Sequence, residues 1–398
     1  MRRTGDGRHA GGVPPAPAPL LLAVDGDSLL HRAHHAMAGS EQRDAQGRPT
    51  WALRGLVSFI ATAAARLTPD ALVVGFDSRE HSIRRTDHPQ YKAHRADKHP
   101  DLDAQLEQAP DLLAEAGVSV VVRAGYEADD VLASAAALAR RGRWRAMLVT
   151  SDRDSFALID ETTSVLRVRN GGIDGSPVLT PSALEAVCGV SPGQYRDLAA
   201  MRGDPSDNLP GVTGIGGKIA ARLLAAFGTV EEIFAALDGD RTAAVVELVG
   251  DVLAARLADP QVREAVELNR RLMIMHEDLR MPSLKRAGLP LDPVRMRTAL
   301  QARGIGLGPS LWALVGEAPP AWLQAGYDRA PSYLPRVDPP HVAAALALVL
   351  PEDPTPSAGA SAPAAAGRPG GPGSPGARTA SRRRRPPITI PDDQLSLF

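Results

Sequence analysis

The stretch GVSVVVRAGYEADDVLASAAALARRGRWRAMLVTSDRD, residues 117–154, decides the fold. Its first part, 117–125, is rich in β-branched residues, and its last part, 145–154, is an apolar run that ends in acids. Between them, 128–141 has the apolar spacing of a helix and begins with acidic residues, which suit the positive end of a helix dipole. The stretch therefore predicts a strand, a helix and a second strand.

The same alternation extends over the first half of the chain. Apolar runs at 19–25, 70–77 and 163–171 predict three more strands, and helical patterns separate them. Strands that alternate with helices form parallel sheets through right-handed crossovers. We therefore expect an α/β fold with a mainly parallel sheet flanked by helices.

Acidic side chains follow strand after strand. They are Asp25, Asp77, Glu127, Asp129, Asp130, Asp152 and Asp154. Parallel strands bind ligands beyond their carboxyl ends, so these acids converge on one edge if the strands are neighbours. Their mutual repulsion would be costly, and hard divalent cations such as Mg²⁺ or Mn²⁺ would remove that cost. Any single acid could instead be a helix cap or a turn residue, but the set predicts a metal site that could hydrolyse a phosphodiester.

Helical patterns dominate from residue 181 to about residue 300. Asp204 and Asp207 lie three positions apart there, close enough to share an ion. A glycine-rich turn then precedes a helix, and its residues are Gly211, Gly214, Gly216, Gly217 and Lys218. Such a turn can be a plain connection, but beside the aspartates it resembles a helix–hairpin–helix, which offers backbone N–H groups to a DNA phosphate.

Basic residues are concentrated in 79–100. This segment contains Arg84, Arg85, Lys92 and Arg95, with Tyr91 among them. Cations interleaved with an aromatic ring are typical of a clamp for single-stranded nucleic acid, although a solvated loop would have the same composition. Its position directly after Asp77 favours the clamp.

The composition narrows the class of protein. The chain has 398 residues, 44% of them hydrophobic, and a formal net charge of −1, so it can bury a core but is not basic overall. Cys188 is the only cysteine, which excludes an intrachain disulfide and a cysteine-based metal site. No apolar run approaches the ~20 residues of a membrane span, and we expect a cytoplasmic protein with no membrane partner. Residues 1–18 and 351–387 have the composition of disordered segments, and 301–350 predict no defined fold.

Five ordered motifs carry a family resemblance: VDGDSLLHRAHHA, FD…RR…YKAHR, GYEADDVLA, LVTSDRDSFALI and GDPSDNLPGVTGIGGKIAARLLAAFGTVEEI. Together they resemble the bacterial 5′-nuclease family, the 5′–3′ exonucleases and flap endonucleases found as the N-terminal domain of DNA polymerase I. The likeness covers about 20–300. It implies a PIN-like catalytic domain at 19–180, a helical arch near 79–110, and a helix-3-turn-helix (helix–hairpin–helix) region at 181–300. Because 398 residues leave no room for a polymerase domain, we expect a stand-alone nuclease.

The resemblance also implies roles for particular residues. One metal group would be Asp25, Asp77, Glu127 and Asp129, with Asp130 as a further candidate, and the other would be Asp152, Asp154, Asp204 and Asp207. Lys92 would contact the scissile phosphate, Tyr91 would stack on a nearby base, and Arg95 would assist them. Two divalent ions, and in this family often a K⁺ ion at the hairpin, would be the cofactors.

The expected activity is cleavage of DNA at 5′ ends and 5′ flaps during replication and repair. The rival interpretations are a non-catalytic DNA-binding paralogue, a PIN-type ribonuclease and a 3′-specific nuclease. The full set of acids disfavours the first, and the helix–hairpin–helix disfavours the second.

The segment 388–398 is apolar again after the low-complexity stretch. It ends in Gln394, Leu395, Ser396, Leu397 and Phe398. QLSLF resembles the motif by which bacterial proteins bind the replicative sliding clamp, with an amide for hydrogen bonds and apolar side chains for a groove. A disordered linker would raise the local concentration of nuclease at the clamp. The alternative is a chance apolar ending.

Overall fold

Six strands form one sheet in the part of the chain that the computed structural model describes, residues 17–319 apart from 41, 81 and 96. The strands are β1 (Leu20–Asp25), β2 (Ala71–Phe76), β3 (Ser119–Val122), β4 (Arg145–Thr150), β5 (Thr163–Arg167) and β6 (Val178–Leu179). Their order is β3-β2-β1-β4-β5-β6, with β1 to β5 parallel and β6 antiparallel to β5. The predicted mainly parallel α/β sheet is confirmed. The two-residue β6 was not predicted, because so short a strand has no recognisable period.

Helices cover both faces of the sheet. Those of the α/β part are α1 (Gly26–Met37), α2 (Trp51–Leu67), α3 (Ile83–Asp87), α4 (Pro100–Glu115) and α5 (Ala128–Arg141). Leu20, Leu22 and Val24 alternate along β1 and belong to one buried cluster with apolar residues of α1, α2 and α4. Helix α5 packs against β1, β2 and β4. Since β1 is central and covered on both faces, its sequence is apolar throughout, as expected for a parallel strand.

Two glycines bring helix starts close to the strand ends. A Cβ on Gly26, the first residue of α1, would lie 2.4 Å from the Phe76 ring. A Cβ on Gly75, near the end of β2, would lie 2.7 Å from Cβ of Val131 in α5. Only glycine fits where atoms approach so closely. The first turns of α1 and α5 therefore lie against the carboxyl edge of the sheet.

The second half of the chain is helical. Its elements are α6 (Pro181–Cys188), α7 (Pro192–Arg202), α8 (Gly217–Phe227), α9 (Val230–Asp238), α10 (Thr242–Val249), α11 (Asp251–Ala258) and α12 (Pro260–Leu272). Helices α7 and α8 flank the glycine-rich turn. The amide of Asn269, on α12, donates hydrogen bonds to the carbonyl oxygens of Ala200 in α7 (3.0 Å) and Pro210 in the α7–α8 loop (2.9 Å). The loop is thus held from both sides.

The chain then returns to the α/β part, which the sequence did not predict. Leu72 of β2 donates its backbone N–H to Ala287 (2.9 Å), and α13 (Pro293–Gln301) and α14 (Trp312–Val315) follow. Leu314 and Met296 belong to the same buried cluster as β1. Part of 301–350 therefore completes the core. The predicted segments 351–387 and 388–398, and residues 1–16, lie outside the described residues.

None of the described helices combines the length and the apolar character that crossing a membrane requires.

Candidate active site

Four predicted acids line one cleft at the carboxyl edge of the sheet. Asp25 is the last residue of β1, Asp77 follows β2, and Asp152 follows β4. Asp129 lies in the first turn of α5. The cleft has a volume of about 1010 Å³. The strands are not all neighbours, because β3 lies at the sheet edge with β2 and β1 between it and β4. Asp129, which comes after β3 in the chain, lies in the cleft because α5 packs against β1, β2 and β4.

The electrostatics of this cleft disfavour charge on the acids. Burial raises the pKa of Asp25 to about 6, with a further contribution from Asp77. Outside the lining, burial and then Asp152 raise the pKa of Asp154 to about 7. The pKa of Asp129 is raised well above its usual value by burial and then by the carboxylates of Asp152 and Asp25. Buried, mutually repelling carboxylates form an oxygen-rich set that fits a hard divalent cation.

Hydroxyl groups orient two of these acids. Thr150 Oγ1 donates to Asp25 Oδ2 at 2.8 Å, and the backbone N–H of Ser28 donates to Asp25 Oδ1 at 2.9 Å. Ser155 Oγ donates to Asp129 Oδ1 at 3.2 Å. The sequence analysis missed these partners, because Thr150 and Ser155 are far in sequence from the acids that they contact. Such bonds hold each carboxylate in one rotamer, which lowers the entropy lost on binding a cation.

Asp27 is a further acid of the cleft that the sequence analysis missed. Its Oδ2 accepts the backbone N–H of Asp77 at 2.7 Å, and Asp77 Oδ1 accepts the N–H of Ala128 at 2.8 Å. Burial, and then Asp77, raises the pKa of Asp27 well above its usual value. Its position two residues after Asp25 was the available signal.

Glu127 and Asp130 form a capping box at the start of α5. Asp130 is completely buried, and Arg84 donates to its two oxygens at 2.8 and 2.6 Å. Burial alone would raise the pKa of Asp130, but these bonds outweigh burial and lower it. The backbone N–H of His276 also donates to Asp130, at 2.9 Å. Both oxygens are thus occupied by protein donors. Arg84, predicted to contact DNA, is engaged in the interior.

The segment before α4, here called the arch segment, is described at 78–80, 82–95 and 97–99; Lys92 and Arg95 of this segment line the cleft and pair with acids. Lys92 Nζ lies 3.0 Å from Glu127 Oε2, and Arg95 Nη2 lies 2.6 Å from Asp207 Oδ1. Tyr91 is only 6% exposed, and its hydroxyl donates to Glu127 (3.3 Å) and Asp207 (3.2 Å). In this arrangement the Tyr91 ring is not available as a stacking face for a base. Burial, and then the two carboxylates, raises the pKa of its hydroxyl.

The helical arch near 79–110 stays a prediction, and its range includes α3 and the first part of α4. Leu102, Leu106 and Leu112 of α4 are buried in the core, so α4 belongs to the α/β part. Arg85 on α3 is exposed, in contrast to Arg84. The described residues of 79–99, in contrast, contribute none to this buried cluster.

Among the described residues, no group of three or more His, Cys, Asp or Glu is arranged to hold a metal ion as it stands. Glu127 and Asp207 are turned toward Lys92, Arg95 and Tyr91. These two acids are not part of the lining of the cleft, and the cations of the arch segment neutralise both.

The loop between α7 and α8 carries the remaining predicted acids. Asp204 caps a short 3₁₀ turn and accepts the N–H (2.8 Å) and the hydroxyl (2.6 Å) of Ser206. Asp204 and Asp207 both add to the raised pKa of Asp154, so the two halves of the chain meet at this point. A Cβ on Gly211 would lie 2.0 Å from the Arg202 carbonyl oxygen, so this glycine is required for packing.

The glycines nearer α8 are in a different situation. A Cβ on Gly216 or Gly217 would meet nothing within 4 Å, so backbone at the start of α8 is open to a ligand. Gly214 has φ of +88°, in the left-handed region that favours glycine. Lys218 lies in the first turn of α8.

The fold and the site together define a class: an acid-lined α/β domain joined to a helical domain with a glycine-rich hairpin. Two family models match this division, the 5′-3′ exonuclease N-terminal resolvase-like domain at 20–186 and the 5′-3′ exonuclease C-terminal SAM fold at 190–294. The chain belongs to the 5′-3′ exonuclease family. The predicted family and fold class are thereby confirmed.

Curated relatives agree with this assignment. The chain is similar to DNA polymerase I of Mycobacterium bovis, with 34% identity over 253 residues, which cover 63% of this chain and 27% of the relative. It is also similar to the thermostable DNA polymerase I of Thermus thermophilus, with 32% identity over 302 residues, 74% of this chain and 34% of the relative. The chain thus matches between a quarter and about a third of the length of these polymerases.

A solved structure resembles the chain in fold. The T5 5′-exonuclease with bound divalent metal ions (zinc) has a TM-score of 0.50 and 20% identity, and the match covers 75% of this chain and 97% of the other.

Proposed function

We propose that the chain is a divalent-metal-dependent 5′-nuclease that hydrolyses DNA phosphodiesters at 5′ ends and 5′ flaps. The observation that carries the proposal is the convergence of Asp25, Asp77, Asp129 and Asp152 on one cleft, where burial and like charge raise the pKa of Asp25 and Asp129. Membership of the 5′-3′ exonuclease family supports the direction of cleavage.

The proposed ligands are acids of the cleft and of the α7–α8 loop. We propose one group of Asp25, Asp77, Glu127 and Asp129, and another of Asp152, Asp154, Asp204 and Asp207. Asp130 is left out of the first group, because Arg84 and backbone donors already occupy its oxygens. Two Mg²⁺ or Mn²⁺ ions, when bound, would supply activation of water and stabilisation of the leaving oxygen. The divalent ions bound to T5 5′-exonuclease support this cofactor class.

The arch segment would deliver cations to the substrate. Lys92 and Arg95 are paired with Glu127 and Asp207, two acids proposed to bind metal. If those acids bound metal, they would no longer hold Lys92 and Arg95, and these two cations could then contact the scissile phosphate. Lys92 has φ of +56°, and its side chain is 17% exposed, so a small change of this segment would move its ammonium. Tyr91 would gain exposure in the same change, which its predicted base-stacking role requires.

Duplex DNA would be held by the hairpin before α8. The open backbone at Gly216 and Gly217 supports a phosphate contact, with Lys218 adding charge. A K⁺ ion at this hairpin is part of the proposal. Gly211 is assigned to packing of the loop instead.

The test is cleavage of a 5′-labelled flap substrate with Mg²⁺, Mn²⁺ or EDTA. We expect cleavage with either metal and none in EDTA. Asp129→Asn and Asp152→Asn should each lower cleavage by at least roughly a hundredfold, while flap binding persists. Asp103→Asn is the matched control, because Asp103 lies on α4 with its side chain 60% exposed. Flap binding without cleavage by the unaltered chain in both metals would instead indicate a non-catalytic DNA-binding paralogue.

A second part of the proposal concerns partners. The tail Gln394, Leu395, Ser396, Leu397 and Phe398 lies outside the described residues, and its sequence alone supports binding to a bacterial sliding clamp. Deletion of 394–398 should abolish clamp binding measured by surface plasmon resonance, while deletion of five linker residues, 368–372, should not. Equal clamp binding by both variants would contradict this part. We place the activity in the cytoplasm on chromosomal DNA, as the similarity to bacterial DNA polymerases I suggests.

A further inference from the structure

A group of arginines lies on the β5 side of the cleft. Its members are Arg32 on α1, Arg153 after β4, Arg167 at the end of β5 and Arg169 in the turn between β5 and β6. Arg32 and Arg169 line the same cleft as Asp25 and Asp129. The cleft therefore has an acidic part and a basic part.

The basic part has unsatisfied hydrogen-bond donors. Nε of Arg32, Nε of Arg167 and Nη1 of Arg169 are buried without a hydrogen-bond partner. The one side-chain bond of Arg32 in the described residues runs from Nη1 to Asn170 Oδ1, at 3.2 Å. Buried donors are nearly always paired, because an unpaired donor retains its full desolvation cost. Three such nitrogens in one group indicate a missing acceptor.

The charge of the group supports the same conclusion. Burial, and then Arg153 and Arg169, lowers the pKa of Arg167 to about 10. Burial, and then Arg169, lowers the pKa of Arg32. Arg32, Arg167 and Arg169 form no ion pair with Asp or Glu within the described part of the chain. Guanidinium groups that lower one another's pKa and have no acid partner are stabilised by a bound anion.

The neighbouring turn leaves room for such an anion. Gly171 has φ of +106°, and a Cβ placed on it would meet nothing within 4 Å. Asn170, Gly171 and Gly172 line the cleft beside Arg169. Because the cleft is continuous with the acids, a polyanion that lies over the acids can reach the arginines.

We propose that Arg32 and Arg169, the members of the group that line the cleft, form a phosphate-binding site at its end, which takes a phosphate group of the nucleic acid strand held over the acids. Planar guanidinium groups suit the tetrahedral oxygens of phosphate, and several of them can share one phosphate. The identification of the anion as a nucleic acid phosphate rests on the proposed function, whereas the existence of an anion site does not.

The test measures binding without cleavage. A fluorescent 5′-flap DNA is titrated with the full chain in EDTA, at a series of KCl concentrations. Arg32→Gln/Arg169→Gln should weaken binding by roughly tenfold or more, because bonds to a charged group are lost. The slope of log K against log[KCl] should fall by about 0.7 to 0.9, which corresponds to one phosphate contact.

The control is Arg140→Gln. Arg140 has the same charge, but its nitrogens already bind Asp160 and Glu277, both at 2.7 Å. It should leave affinity and salt slope unchanged. Equal affinity and slope for the double variant and the unaltered chain would overturn the proposal.

A second measurement depends on neither DNA nor activity. Inorganic phosphate should raise the Tm of the unaltered chain at constant ionic strength, and this rise should be lost in Arg32→Gln/Arg169→Gln. The double variant should also be no less stable than the unaltered chain without phosphate, because like-charge repulsion is removed. An identical phosphate-dependent rise in both proteins would refute the site even if the chain proves to be no nuclease.

The source of the phosphate is resolved by comparing 5′-phosphorylated and 5′-hydroxyl DNA. If the site takes a terminal phosphate, the double variant loses a preference for the phosphorylated end. If it takes an internal phosphodiester, the variant weakens binding of both substrates equally. Both outcomes support the phosphate site.

Discussion

The pair of Arg84 and Asp130 gives the sharpest test of the structure. Arg84 joins the arch segment to α5 and to the segment after α12. Its guanidinium donates to both oxygens of Asp130 and to the carbonyls of Leu272 (2.8 Å) and Ile274 (2.6 Å). The two side chains are 10% and 0% exposed. Arg84→Gln would leave a fully buried carboxylate without its cation.

Breaking such a pair costs roughly 3–5 kcal/mol, because the remaining charge stays desolvated. We expect Arg84→Gln to lower the free energy of unfolding by about that amount at pH 7. The measurement is urea denaturation followed by circular dichroism. The control is Arg79→Gln, since Arg79 pairs with Asp103 on the surface at 49% and 60% exposure, and such pairs contribute at most about 1 kcal/mol.

The pH dependence provides a second readout of the same pair. The pKa of Asp130 is lower in the folded state than in the unfolded state. Ionised Asp130 therefore stabilises the fold fully above its unfolded-state pKa, and this stabilisation is lost as the pH falls through its folded-state pKa. The difference in free energy of unfolding between the unaltered chain and Arg84→Gln should therefore become smaller below about pH 4. If Arg84→Gln lowered the free energy of unfolding by no more than Arg79→Gln does, the assignment of Arg84 to the interior would be refuted. That result would favour the DNA contact predicted from sequence.

Other predictions concern the cleft and the loop. Because the folded pKa of Asp25 is raised to about 6 and that of Asp154 to about 7, stability without metal should fall as pH rises from about 4 to 7, where these acids ionise in the folded state. In differential scanning calorimetry, Tm should therefore decrease over this pH range, and Mn²⁺ should make the decrease smaller. An equal decrease of Tm with and without Mn²⁺ would contradict metal binding by these acids. Gly211→Ala should destabilise the chain by several kcal/mol in urea denaturation, because its Cβ would lie 2.0 Å from a carbonyl oxygen, whereas Gly216→Ala should be nearly neutral. Similar costs at the two glycines would contradict the division of the hairpin into packing and open backbone. Tyr91→Phe removes a buried hydroxyl that bonds two carboxylates, and it should lower Tm measurably; an unchanged Tm would indicate that the ring is exposed in solution.

The contacts of the arch segment suggest how metal and substrate are coupled. Its cations neutralise Glu127 and Asp207 at distances of 3.0 and 2.6 Å. Under the proposed function, divalent ions at those acids would compete with Lys92 and Arg95 and would make these cations available to a phosphate. The same acids would then hold the arch segment when metal is absent and bind metal when it is present.

The sequence by itself determined the strands, the helix starts and the acids at the carboxyl edge. β1 to β5 begin and end within a few residues of the apolar runs that predicted them, because continuous apolar runs bounded by glycine and acids are local signals. The acids were visible for the same reason, since Asp25 and Asp77 directly follow buried strands. Neither prediction needed knowledge of long-range contacts.

Only the tertiary structure decided which side chains share a contact. Arg84 and Arg85 are adjacent in a basic run, yet one is held inside by Asp130 and the other is exposed. Glycines of one turn divide between packing at Gly211 and open backbone at Gly216. The arginine group joins residues from α1 to the β5–β6 turn, 137 positions apart from Arg32 to Arg169 (169 − 32 = 137). Pairing of charges depends on distances across the fold, and no local pattern of residues records those distances.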